Sequence, residues 1–165
     1  MRAGDVVLVD TTLLIEAHRT DCLAALAVGY RLQTVEKCVE ETQNGTVTRS
    51  LTDRMDETLL RRQLDAVHSV TDHDRARVAA VGGPVIDDGE RDLWAHALGR
   101  IDTWILCGPD RASMRFGVRA NQRDRLVALE PLLKVIGHTP KEALREHYRQ
   151  PWLDDVINKA VLGIL

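Results

Sequence analysis

The stretch Val6-Val7-Leu8-Val9-Asp10-Thr11-Thr12-Leu13-Leu14-Ile15-Glu16-Ala17 decides the fold. Four consecutive apolar residues closed by one carboxylate predict a strand buried on both faces. Thr11-Thr12 followed by Leu13, Leu14 and Ala17 predicts a helix that starts at once. In open α/β sheets, ligands settle in the crevice beyond the carboxyl ends of the strands, and this pattern puts Asp10 there. A carboxylate at that junction is equally well explained as a helix cap.

Working outward, Tyr30 to Val35, Ala66 to Val70 and Thr103 to Cys107 are predicted strands, with Leu126 to Leu129 a last short one. Helices are predicted over Cys22 to Gly29, after Val35 to Asn44-Gly45, and from Asp53 to Arg62 with Thr52 as cap. Another is capped by Asp72 and ends near Gly82-Gly83-Pro84. The next runs from Asp87 or Asp88 through Leu93, Trp94, Ala97 and Leu98 to Gly99. Asp110 starts one more, Pro131 sits in the first turn of a helix reaching Gly137, and Thr139-Pro140 with Glu142 opens a further one. Pro151 separates that helix from an amphipathic C-terminal helix. Strands alternating with helices imply an α/β fold, a three-layer α/β/α sandwich with a central, mostly parallel sheet. Residues 1–138 form the expected domain, and residues 139–165 a C-terminal helical extension packed on that domain or on a partner.

The 165 residues and 44% hydrophobic content suit one domain with a real core. A net charge of -3 argues against a generic polyanion binder, so contact with nucleic acid requires a local basic patch. Cys22, Cys38 and Cys107 are widely spaced in apolar surroundings, as expected of reduced thiols rather than a disulfide framework or zinc site. With no signal-type N-terminus and no apolar run of the ~20 residues that a span needs, a soluble cytoplasmic protein is expected.

A parallel sheet brings Asp10 and Asp110 to the same end, because each follows an apolar strand. Glu41 lies in the helix after the second strand, and Asp92 in the first turns of the helix before Thr103. Carboxylates held close together raise one another's pKa and destabilise a fold unless a cation is present. Oxygen-only clusters suit Mg²⁺ or Mn²⁺, which activate water and screen a scissile phosphate. Nuclease and phosphatase chemistry both fit.

These residues also resemble the PIN-domain ribonucleases. Val9-Asp10-Thr11-Thr12-Leu13-Leu14-Ile15-Glu16 is similar to that family's first motif, Asp-Thr-Asn-x-Leu-Ile after a hydrophobic strand, with Thr12 where Asn is usual. Glu41-Thr42-Gln43-Asn44-Gly45 resembles the second motif, Glu-Leu-x-x-Gly, with Glu40 in reserve. Asp92 and Asp110 stand eighteen positions apart, matching the family's third and fourth acids. Glu90 in Asp88-Gly89-Glu90-Arg91-Asp92 resembles the Gly-Glu variant of that motif, and Gly108-Pro109 replaces the usual Thr-x. The resemblance covers residues 6 to 136. It implies a Mg²⁺- or Mn²⁺-dependent endoribonuclease in which Asp10, Glu41, Asp92 and Asp110 hold metal and water, with Glu40, Glu90 and Thr12 as secondary candidates. Many members are toxins of toxin-antitoxin pairs and many are homodimers, so a protein antitoxin and a second copy of this chain are the implied partners besides RNA.

Arg111, Arg115 and Arg119 recur every four positions after Asp110, with Arg123 and Arg125 beyond. On one helix they form a basic stripe able to hold phosphates flanking the cleaved bond, or a solvated face. His68, His73, His96, His138 and His147 show no metal-ligand spacing with one another, His18 falls two turns after Asp10 and is assigned no proton transfer, Trp94 and Trp104 sit in apolar patterns, and Ser113 has no nearby base for nucleophilic hydrolysis. Two rival functions stand beside the nuclease: a non-catalytic binding module of the same fold, and a metal-dependent phosphatase.

Overall fold

The computed structural model describes residues 1–43 and 55–164. Strands β1 (Val6–Val9), β2 (Arg31–Val35), β3 (Ala66–His68) and β4 (Ile105–Cys107) form one sheet in the order β3-β2-β1-β4. All pairings are parallel. β1 is an interior strand, in register with Arg31, Leu32 and Gln33 on one side and with Ile105, Leu106 and Cys107 on the other. Burial on both faces explains its unbroken apolar run, since alternation would put a polar side chain into one of two cores.

Those cores follow the two-residue period of β1. Val7 and Val9 face helices α1 (Thr11–Arg19), α2 (Leu23–Gly29), α4 (Glu57–Gln63) and α8 (Leu129–Val135), through Leu13, Leu14, Leu26, Leu60 and Leu132. Val6 and Leu8 face α6 (Asp88–Leu98), α7 (Arg111–Arg119) and α9 (Gln150–Val161), through Leu93, Trp94, Met114, Phe116 and Val156. Among the described residues the remaining α-helices are α3 (Glu36–Gln43) and α5 (Asp72–Val81). The architecture is the expected three-layer α/β/α sandwich.

Trp94 is fully buried, 5.3 Å centroid to centroid from Phe116, and its indole N–H donates to Ser113 Oγ at 2.9 Å. Gly117 makes room for it, because a Cβ there would come within 2.8 Å of the Trp94 ring. All three cysteines are buried free thiols. Among the described residues no helix is long and apolar enough to cross a membrane.

Several boundaries differ from the sequence expectation, each for a local reason. α5 is capped by Thr71, one residue before Asp72, in a reciprocal capping box with Asp74. α4 is capped by Asp56; the expected Thr52 cap and Asn44-Gly45 helix stop lie outside the described residues. Leu126 to Leu129 is not a strand. One parallel bridge joins Leu126 to Leu106, after which Leu129 buries its side chain as the first residue of α8.

No α-helix follows Thr139-Pro140, because the hydrogen bonds of that segment go to α1. Lys141 N–H donates to Thr20 O, Glu142 accepts from Arg19, and Arg145 N–H donates to Glu16. The segment then forms a 3₁₀ turn, Glu146–Tyr148, before α9. Residues 139–164 are therefore part of the same body: Tyr148 belongs to one core, and Leu153 and Val156 to the other.

Candidate active site

Asp10 ends the central strand and caps α1. Leu13 N–H donates to its Oδ1 at 2.7 Å and the Thr12 hydroxyl to its Oδ2 at 2.8 Å. Asp110 repeats the device one strand away, capping α7 through Ser113 N–H at 2.9 Å. The cap uses one oxygen of Asp110, so capping does not exhaust that carboxylate's capacity as an acceptor. β1 and β4 are hydrogen-bonded neighbours, which is why both acids emerge at the same sheet edge. Gly108 allows the approach: a Cβ there would lie 2.8 Å from Asp10 Oδ2.

Glu41, on α3, is drawn to the same edge by two donors from different elements. The Thr11 hydroxyl donates to Oε2 at 2.8 Å and Gly89 N–H, in the first turn of α6, to Oε1 at 3.0 Å. A Cβ at position 89 would collide with the Glu41 carboxylate, so Gly89 is the notch that seats it. Glu90 follows at once and is partly buried; Asp87 N–H lies 3.3 Å from its Oε2.

The electrostatics link these four acids. Burial, aided by the charges of Asp110 and Glu41, pushes Asp10 up to about 7, against the lowering effect of Leu13 N–H and the Thr12 hydroxyl. Burial and the charges of Asp110 and Asp10 push Glu90 up to about 8. The Cys38 thiol, 3.4 Å from Gly89 O, rises to about 12 through burial and the nearby Asp10 charge. This corner of the molecule resists negative charge and holds mainly oxygen ligands.

Asp92 does not join them. Its two oxygens accept from Arg75 Nε and Nη2, each at 2.7 Å, a bidentate pair that ties α6 to α5. Two residues apart on a helix means roughly opposite sides, and Glu90, not Asp92, lies on the face with Trp94 and Ala97. Glu90 is therefore the α6 acid at the sheet edge, and the apolar face of α6 was the sequence signal for it. Glu40 is exposed and pairs with Lys37 at 3.1 Å.

The basic stripe is shorter than expected. α7 ends at Arg119, and Asn121 turns the chain at φ 58°. Arg123 and Arg125 form a separate turn, where Arg125 sits 4.7 Å over Trp104 and donates to Trp104 O at 3.0 Å. Arg119 donates to Val81 O at 3.1 Å. Arg111 follows Asp110 directly in the chain, with its guanidinium 5.9 Å from the Trp152 ring centre. Arg115 lines a surface depression with Arg119, Gly83 and Pro84.

No family model, curated protein or solved structure matches this chain. The functional reading therefore rests on the residues themselves. Their donor set is hard oxygen, the kind that hard divalent cations prefer. Among the described residues no three His, Cys, Asp or Glu side chains form a ready cage for a metal.

The sequence reading missed the C-terminal wall of the site. Arg145, His147 and Tyr148 line a depression of 310 Å³ with Thr12, Ile15, Pro109 and Asp110. No local motif announces these residues; only their tertiary hydrogen bonds to α1 bring them here.

Proposed function

We propose that this protein is a divalent-metal-dependent endoribonuclease that hydrolyses RNA phosphodiester bonds. The observation that carries the reading is the convergence of Asp10, Glu41, Glu90 and Asp110 on the carboxyl edge of a parallel sheet, with Asp10 and Glu90 raised to about 7 and 8. A site that destabilises its own carboxylates gains most from a cation. Asp10, Asp110 and Glu90 would hold Mg²⁺ or Mn²⁺, and Glu41 would orient a water or a second ion. When bound, the metal supplies positive charge to the scissile phosphate and acidifies a coordinated water.

The chain's own contribution is positioning. The helix caps fix Asp10 and Asp110, and the α1 and α7 N-termini add their favourable dipoles toward an anionic substrate. Thr11 and Gly89 hold the two oxygens of Glu41, limiting its rotamers at the site. No side chain is needed as a covalent nucleophile. Asp92, held by Arg75, acts on α6 rather than on substrate.

A structured RNA and a phosphomonoester should be offered side by side, with Mg²⁺, with Mn²⁺ and with EDTA. Metal-dependent cleavage of the RNA alone, abolished in Asp110→Asn with the fold retained, is the expected result. Turnover of the monoester in its place would make the protein a phosphatase. Full metal-dependent RNA cleavage by Asp110→Asn would remove the acid site from the mechanism.

A further inference from the structure

The depression beside Asp110 has a composition unlike the acid cluster. Its far wall is the turn containing Arg145, His147 and Tyr148, and its near wall is Thr12, Ile15 and Pro109. At 310 Å³ it falls at the small end of the ~300–1,000 Å³ range of ligand clefts. The wall is built onto α1. Tyr148 is buried and its hydroxyl donates to Thr12 O at 3.0 Å, one residue from Thr11, which holds Glu41.

The wall's other anchor is Glu16, whose side chain is fully buried. It accepts from Arg19 Nε and Nη2 at 2.9 and 2.7 Å and from Arg145 N–H at 3.1 Å. Burial alone would raise this carboxyl, but those donors outweigh it and hold it below the usual range. Arg145 is fixed through its backbone, while its guanidinium reaches Glu16 at 3.5 Å with the side chain 54% exposed. That leaves several of its five donors for another anion. His147 packs on Tyr148 at 4.5 Å and on Trp152 at 6.3 Å, and Arg111 caps the Trp152 ring. A cation and a supported ring thus stand next to Asp110.

We infer that this depression is the subsite for the nucleotide adjoining the cleaved bond, with His147 stacking on its base and Arg145 contacting its phosphate. The inference rests on the ribonuclease reading and extends it: single-stranded RNA is gripped here without base-edge readout. Stacking accepts any base, and an arginine on phosphate carries no sequence information. Arg145 and His147 are positioning residues for the substrate strand.

The test is binding of a short fluorescent single-stranded RNA to the full chain in EDTA, followed by steady-state cleavage in Mg²⁺. His147→Ala should weaken binding about tenfold, and His147→Phe should restore it. Arg145→Ala should weaken binding at low salt and lower the salt dependence by about one phosphate contact. In cleavage, both alanine variants should raise KM with kcat within about threefold, the signature of lost ground-state binding. Arg62→Ala, on α4 outside the depression, should match the wild type in both assays. Wild-type KM and affinity in the two alanine variants, with normal melting, would overturn the subsite while leaving the nuclease standing. If the wild type binds RNA through His147 and Arg145 but cleaves none with either Mg²⁺ or Mn²⁺, the nuclease reading fails, and the depression is an RNA-binding site with no cleaved bond beside it.

Discussion

Replacing Asp10 by Asn should make the metal-free protein more stable, and the gain should grow with pH. An unfolded Asp titrates at 3.8, whereas in the folded protein burial pushes Asp10 up to about 7. Between those values the folded state holds the proton and the unfolded state does not, so stability falls as pH rises through the window and levels off above it. At about pH 8 the full difference costs the folded protein about 4 kcal/mol, and at about pH 5 roughly a third of that. Asn removes the charge and keeps a side-chain oxygen that caps α1. Relaxation around the ionised wild-type site returns some of the 4 kcal/mol. If relaxation returns about half, the remaining ~2 kcal/mol, at about 2–4 °C per kcal/mol for a chain of this size, should raise the midpoint by about 4–8 °C near pH 8 and by a third as much near pH 5. Differential scanning calorimetry in EDTA across that range measures it. Mg²⁺ should raise the wild-type midpoint near pH 8 and leave Asp10→Asn almost unmoved. Parallel pH profiles for the two proteins, or equal Mg²⁺ responses, would refute the view that Asp10 is a strained carboxylate awaiting a cation.

Gly89→Ala should separate function from stability. The new methyl displaces the Glu41 carboxylate while adding helix propensity of up to ~1 kcal/mol, so RNA cleavage should drop at least tenfold with melting nearly unchanged. Asp92→Ala should do the reverse in part, costing about 2–3 kcal/mol by chemical denaturation because the half-exposed Arg75 loses a bidentate partner. Gly117→Ala should cost about 1–3 kcal/mol, measured the same way, because its Cβ presses into the fully buried Trp94 ring. Tyr148→Phe removes the hydroxyl that donates to Thr12 O and should cost about 1 kcal/mol while loosening the wall beside Asp110.

How much of this was legible in the sequence depended on the range of the interaction. β1 was readable because burial on both faces demands an unbroken apolar run, and Asp10 and Asp110 because strand ends and helix starts are local events. The eighteen-residue interval to Asp110 pointed to Asp92, whereas the structure puts Glu90 at the sheet edge. The choice turns on which side of α6 meets the sheet, and on an arginine seventeen residues upstream that takes Asp92 for itself. Thr139-Pro140 carried a valid local start signal that lost to hydrogen bonds with α1, more than a hundred residues away. The same long-range bonds created the wall of Arg145, His147 and Tyr148, which no short motif could have revealed.

The strand order has a consequence for how the chain is made. β1 is synthesised first yet lies inside the sheet, and one of its two neighbours, β4, begins about a hundred residues later. A parallel sheet of such distant partners pays its loop-closure entropy before its contacts reward it, so assembly is slow compared with helical bundles. A growing chain carries Asp10 and Glu41 through about seventy further residues without Asp110 beside them, and the wall from the Glu146–Tyr148 turn arrives later still. The acid corner therefore comes into being only after β4 and Asp110 have been made and have joined β1. Whatever that corner does is withheld until strands about a hundred residues apart have paired.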